Sequence, residues 1–127
     1  MSTFERFNQG KLVLPGITKE FSNVVWSKHP TFEGVELKHL VTAKETEGKY
    51  SYHLVKIAPN CSIKKHIHET QLETHEVIMG SGECLNDGIK ICYAPGVISI
   101  MPAGIEHEVN TSSEGLYLFA KFIPALC

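Results

Sequence analysis

Asn60-x5-His66-x-His68-x4-Glu73-x6-Gly80 and, further on, Gly96-x5-Pro102-x-Gly104-x2-His107-x2-Asn110 hold the densest grouping of histidine, acid and glycine in the chain. Side chains alternate across an extended strand, so His66 and His68 are expected on one face. Glu73 and His107 can then close the same pocket. Three imidazoles and one carboxylate make a mixed nitrogen and oxygen donor set, which suits iron, manganese, nickel or zinc. Gln71 and His75 lie two residues either side of Glu73 on the same strand parity, and each is an alternative donor at this stage.

Around these blocks the chain reads as β structure. Short runs rich in β-branched and aromatic residues recur, separated by Gly, Pro, Asn and Asp. Val35 to Val41 and Lys49 to Ile57 form one expected hairpin, joined by the polar Thr42 to Gly48. The strand carrying His66 and His68 follows Pro59-Asn60. Thr74 to Met79 then leads through Gly80-Ser81-Gly82 to a strand ending at Leu85, and Asn86-Asp87-Gly88 turns the chain. Ile89 to Tyr93, Val97 to Met101 and Leu116 to Ile123 are the remaining expected strands, with Pro102-Ala103-Gly104 as the tight turn before His107. Lys11 to Leu14 and Asn23 to Trp26 are candidate strands nearer the N-terminus. Strands this short and evenly spaced argue for an all-β antiparallel barrel or sandwich.

Composition narrows the class. The chain has 127 residues, 43% hydrophobic and 20% charged, and no internal repeat or linker, which fits one globular domain over residues 1–127. Apolar runs such as Gly115 to Ala120 are far shorter than a membrane span of about 20 residues, so no membrane partner is expected. The N-terminal Met1-Ser2-Thr3-Phe4-Glu5-Arg6 has no signal-peptide pattern, giving a cytoplasmic expectation. A formal net charge of −2 supplies no basic footprint, so nucleic acid is not an expected partner. The four cysteines show no CxxC spacing and read as free thiols. A two-residue turn at Asp87-Gly88 would set Cys84 opposite Ile91, leaving Cys84 and Cys92 diagonal and unbridged.

Together, these residues resemble the motifs of the cupin superfamily. Its first motif, G-x5-H-x-H-x3/4-E-x6-G, is met at His66, His68, Glu73 and Gly80, and its second, G-x5-P-x-G-x2-H-x3-N, at Gly96, Pro102, Gly104 and His107. The resemblance spans roughly residues 50–123. Asn60 stands where the motif has Gly, a mild change because Asn tolerates the left-handed conformation. Asn110 comes one residue early, which puts its structural role in question. The family's V-I-x-G-x-G continuation falls on Val77 to Gly82 when Glu73 is the acid, which favours Glu73 over its neighbours.

The resemblance implies a double Greek-key (jelly-roll) β-barrel at about residues 35–123, preceded by N-terminal strands and a dimerisation segment at about 1–34. It implies a divalent transition metal, Fe, Mn, Ni or Zn, held by His66, His68, Glu73 and His107. Such a ligand set carries charge −1, and an octahedral ion would keep two positions for water or substrate. His75 points inward beside the ligands and is the candidate catalytic acid or base, with a pocket-wall or hydrogen-bonding role as the alternative. Lys64 shares the parity of His66 and could meet a carboxylate at the mouth, while Lys65 faces the other way; a solvated edge charge is the preferred reading for both. Lys121, interrupting an apolar strand, is assigned to solvent. The expected function is a metal-dependent enzyme of dioxygenase, isomerase or lyase type acting on a polar small molecule. The alternative is a non-catalytic small-molecule binding or sensing module. A homodimer is expected through Lys11 to Leu14 and Val24 to Trp26.

Overall fold

The computed structural model describes residues 1–127. Ten strands and two short helices follow one another: α1 (Thr3–Asn8), β1 (Lys11–Leu14), β2 (Ile17–Glu20), β3 (Ser27–Lys28), β4 (Val35–Val41), α2 (Ala43–Thr46), β5 (Ser51–Ile57), β6 (Ser62–His66), β7 (Leu72–Asn86), β8 (Ile89–Tyr93), β9 (Ile98–Met101) and β10 (His107–Ile123). All strand pairings are antiparallel, as the short, turn-punctuated runs predict. The fold is a jelly-roll barrel of eight strands, with β1 and β2 as a separate hairpin. No helix is long and apolar enough to cross a membrane.

Two long strands organise the barrel. Sequence reading splits β7 at Gly80-Ser81-Gly82, and it places the last strand only from Leu116. In the structure both continue through those points and bend there. Leu72 to Gly80 of β7 pairs with Leu116 to Ile123 of β10, and Gly82 to Asn86 pairs with His107 to Thr111, with a register shift between. Each long strand therefore serves two sheets: one ordered β3-β4-β5-β10-β7-β9, the other β6-β10-β7-β8. Gly80 is required at the bend. Its φ is +87°, and a Cβ there would collide with the carbonyl oxygen of Gly115 in the opposing strand.

Between the sheets lies an apolar core that includes Val55, Val77, Cys84, Met101, Leu116 and Leu118. The outer face of the larger sheet is buried as well, because Phe4 of α1 and Phe21 cover Leu40, Leu54 and Phe119. A sheet buried on both faces loses the simple apolar and polar alternation, and that accounts for the unbroken run Leu116 to Ala120. Helix α1 starts at Ser2, whose Oγ accepts the Glu5 N–H at 3.1 Å. Candidate strand Asn23 to Trp26 is replaced by a single 3₁₀ turn at Phe21–Asn23 followed by β3. In the loop after β4, the Glu45 carboxylate accepts the Thr42 N–H at 2.8 Å and sets up α2.

The hairpin between β7 and β8 forms as expected. Asp87 and Gly88 both have positive φ, and Cys84 pairs with Ile91. Cys84 is buried, Cys92 exposed, and all four cysteines are free. Asn60 adopts φ +58°, the left-handed conformation for which Asn is suited. Asn110 has a structural role after all: its Oδ1 accepts from Ser62 Oγ at 2.6 Å, tying β10 to β6.

Candidate metal centre

β10 and β6 bring the first two candidate ligands together, since His107 and His66 are direct cross-strand partners. Between them and the next pair, Val109 with Ile63, β6 spends one residue more than β10. That bulge at Lys64-Lys65 changes the parity. Ile63 and His66 both face inward, while Lys64 is exposed and lines no part of the cavity that His66 lines. The expectation that Lys64 shares the inward face of His66 is therefore corrected. His68 lies just past the end of β6, so its convergence with His66 comes from the chain's exit and not from strand alternation. Glu73 stands near the start of β7, paired with Met101 on one side and Phe122 on the other.

One donor atom from each of His66, His68, Glu73 and His107 lies within 4.8 Å of the others. Glu73 Oε1 is 3.0 Å from His107 Nε2 and 3.4 Å from His68 Nε2. The His66 and His107 ring centroids are 4.3 Å apart. Two backbone carbonyls fix the tautomers. His66 Nδ1 donates to Lys64 O at 2.8 Å, and His107 Nδ1 donates to Ile105 O at 3.2 Å. A carbonyl oxygen can only accept, so each Nδ1 carries its hydrogen and Nε2 is the nitrogen that faces the cluster, free to offer its lone pair to an ion once it has given up any proton. This is the arrangement a ligating imidazole needs, and the donor set fits a divalent transition metal.

The electrostatics differ between the imidazoles. Burial lowers the pKa of His66 and of His68, favouring the neutral ligand form. Burial alone would raise the pKa of Glu73, but His75 and His107 beside it hold the carboxyl well below the usual carboxylate range. For His107, burial opposes charge, yet the hydrogen bond and charge of Glu73 outweigh it and raise the pKa. Glu73 is thus an anion surrounded by imidazoles. His75, also buried, donates from Nε2 to Glu73 Oε2 at 2.8 Å and has the Tyr93 hydroxyl on Nδ1 at 2.9 Å.

No protein-family model and no curated protein matches the sequence. Solved structures do match the fold. The RmlC-like cupin from Shewanella frigidimarina has a TM-score of 0.71 at 15% identity, over 83% of this chain and 87% of its own. The chain has the cupin fold. Ectoine synthase from P. lautus has a TM-score of 0.75 at 18% identity, over 87% of this chain and 79% of its own. A predicted oxalate decarboxylase from Thermotoga maritima has a TM-score of 0.73 at 23% identity, over 81% of this chain and 95% of its own.

Within this cupin barrel the cluster opens on a cavity of about 470 Å³. His66, His68, Glu73 and His75 line its polar side, and Val35, Leu37, Val55, Ile63, Phe122 and Leu126 are among the apolar wall. His107 sits behind, buried. The chain's one arginine, Arg6, is in α1, so no guanidinium enters the cavity. Among the lining residues that sequence reasoning missed are His29 and Phe32, whose rings stack 4.6 Å apart. His29 Nδ1 accepts the Thr31 and Phe32 N–H groups at 3.1 and 3.2 Å, which leaves Nε2–H as the ring's free donor. The His29-Pro30 break was the available signal, as a loop folded back over a barrel mouth.

Proposed function

We propose that this cupin binds one divalent transition metal through His66, His68, Glu73 and His107. We further propose that it acts as an enzyme on a small molecule with a polar, chelating head and an apolar body. The observation that carries the reading is the pairing of carbonyl-locked histidines with a largely apolar cavity lined by His66, His68 and Glu73 of the same cluster. When bound, the ion would supply Lewis acidity, or dioxygen activation in the case of iron, at positions left free by four protein ligands.

The chain's own residues shape what can react there. Glu73 remains ionised and is held at Oε2 by His75, whose other nitrogen is held by Tyr93. Val35, Leu37 and Phe122 exclude water and receive the apolar part of a substrate. His29 offers a hydrogen-bond donor to its polar part.

One observation favours the non-catalytic reading. Both ring nitrogens of His75 are occupied, so the candidate acid or base is not free to move a proton without breaking its bond to Glu73 or Tyr93. A screen of protein loaded anaerobically with Fe(II), Mn(II), Ni(II) or Zn(II) separates the two. Turnover of aryl or alkyl hydroxy acids, lost in His107→Ala, supports the enzyme. Saturable binding of the same compounds without turnover supports the binding module, and no binding at all of amphipathic compounds overturns the substrate class.

A further inference from the structure

A second group of ligand-type side chains lies outside the centre described above. His39 and His53 are direct cross-strand partners on β4 and β5, with Nδ1 atoms 2.7 Å apart and rings crossing at 88°. Cys127 completes the group, its Sγ and one nitrogen of each histidine lying within 4.8 Å of one another. We propose that His39, His53 and Cys127 form a second, thiolate-containing metal site selective for a borderline ion such as Zn(II).

Three features of the surroundings argue for a built site. First, His53 is fully buried, and its Nε2 is held 2.8 Å from Ser51 Oγ, which also accepts the Leu126 N–H at 2.8 Å. That bond orients the ring and leaves Nδ1 facing His39. Second, the segment that delivers Cys127 is tied to the barrel. Ala43 N–H donates to Cys127 O at 2.6 Å, Ala125 N–H to Gly48 O at 3.1 Å, and Gln71 Nε2 to Ala125 O at 3.0 Å. Third, two imidazole nitrogens this close can share one proton, and an ion can take that proton's place. Two nitrogens on a tetrahedral zinc with bonds of about 2.0–2.1 Å lie roughly 3.3 Å apart, so the pair must open by roughly 0.6 Å. Cys127 is exposed, so its side chain can turn to meet the ion, losing its thiol proton to solvent as it binds. Two imidazoles and one thiolate leave a fourth tetrahedral position, and His39 lines the same cavity as His66, His68 and Glu73 of the principal centre.

Cobalt(II) distinguishes the two sites, because the principal centre contains no sulfur. Titration of the full chain with Co(II) should produce a near-ultraviolet thiolate-to-cobalt charge-transfer band, and His107→Ala should keep it. Cys127→Ser should abolish the band, and His39→Ala should weaken Co(II) binding at this site by at least about tenfold. Absence of the band in the unaltered chain would overturn the proposal. So would a band that persists in Cys127→Ser, since Cys61, Cys84 or Cys92 would then be its source. Neither result depends on whether the principal centre binds metal.

Discussion

His75 lies between Glu73 and Tyr93, 2.8 Å from the carboxylate through Nε2 and 2.9 Å from the phenol through Nδ1. A histidine so placed fixes the direction of a neighbouring carboxylate. It acts through Glu73, and its removal is felt first in metal binding. His75→Ala is predicted to weaken binding of the divalent ion by about 10- to 100-fold, and Tyr93→Phe by less. Competition against a chelator of known affinity measures this. Unchanged affinity with lost turnover would instead return His75 to the catalytic role considered from sequence.

Ion binding should also stabilise the barrel, because His66 and His107 join β6 to β10 and Glu73 adds β7. At a free metal concentration about 100 times Kd, the expected gain is about 2.7 kcal/mol. His66→Ala and Glu73→Gln should each remove most of it. Thermal unfolding with and without metal provides the comparison.

The legibility of this chain divides at Val35. Both motif blocks are readable because their donors stand at fixed offsets from glycine and proline turns, and Gly96 and Gly104 do have positive φ; the strand alternation that places His66 and His68 together from sequence is not what brings them together in the structure. Strand ends are less readable: Gly80 and Gly82 look like a turn, yet they are part of a bend inside a long strand whose cause is the close approach of the opposing backbone. Parity fails at Lys64, because a bulge depends on the partner strand and leaves no local mark. The His39 and His53 pair is invisible for a similar reason, since its register is followed by a shift before Val41. In the N-terminal segment, α1 is too short to show a helical period. Its one local signal is the Ser2-x-x-Glu5 cap.

The bend at Gly80 offers a direct stability test. Gly80→Ala combines left-handed backbone with a collision against Gly115 and should cost at least about 2 kcal/mol. Gly48→Ala has a similar φ of +79° but open space around it, and should cost only about 1 kcal/mol. Urea unfolding of the two variants separates backbone strain from close approach.

Lys19 Nζ lies 3.2 Å from Glu45 Oε1, linking the β1-β2 hairpin to α2. Burial opposes the Glu45 charge, but the Thr42 N–H and Lys19 outweigh it and lower the pKa. A lowered folded-state pKa means the unfolded chain binds the proton more readily, so this stability is present above the usual Glu value and is lost as pH falls through the carboxylate range. Glu45→Gln should therefore cost on the order of 1 kcal/mol near neutral pH, and progressively less as pH falls through the carboxylate range. A penalty independent of pH would contradict the assignment.

Val13, Ile17 and Val25 are 66%, 63% and 79% exposed, and they cluster in the segment expected to cover a partner chain. We predict a homodimer at micromolar concentration by light scattering, converted to monomer by Val13→Glu combined with Val25→Glu. A monomer in the unaltered chain would refute this.

Elemental analysis of anaerobically purified protein, alongside His107→Ala prepared in the same way, tests the principal centre most directly. The metal-centre account predicts a divalent transition metal at about one equivalent or more per chain, reduced by about one equivalent in the variant. Metal-free protein that also fails to take up Fe(II), Mn(II), Ni(II) or Zn(II), or a metal content unchanged by His107→Ala, would contradict it.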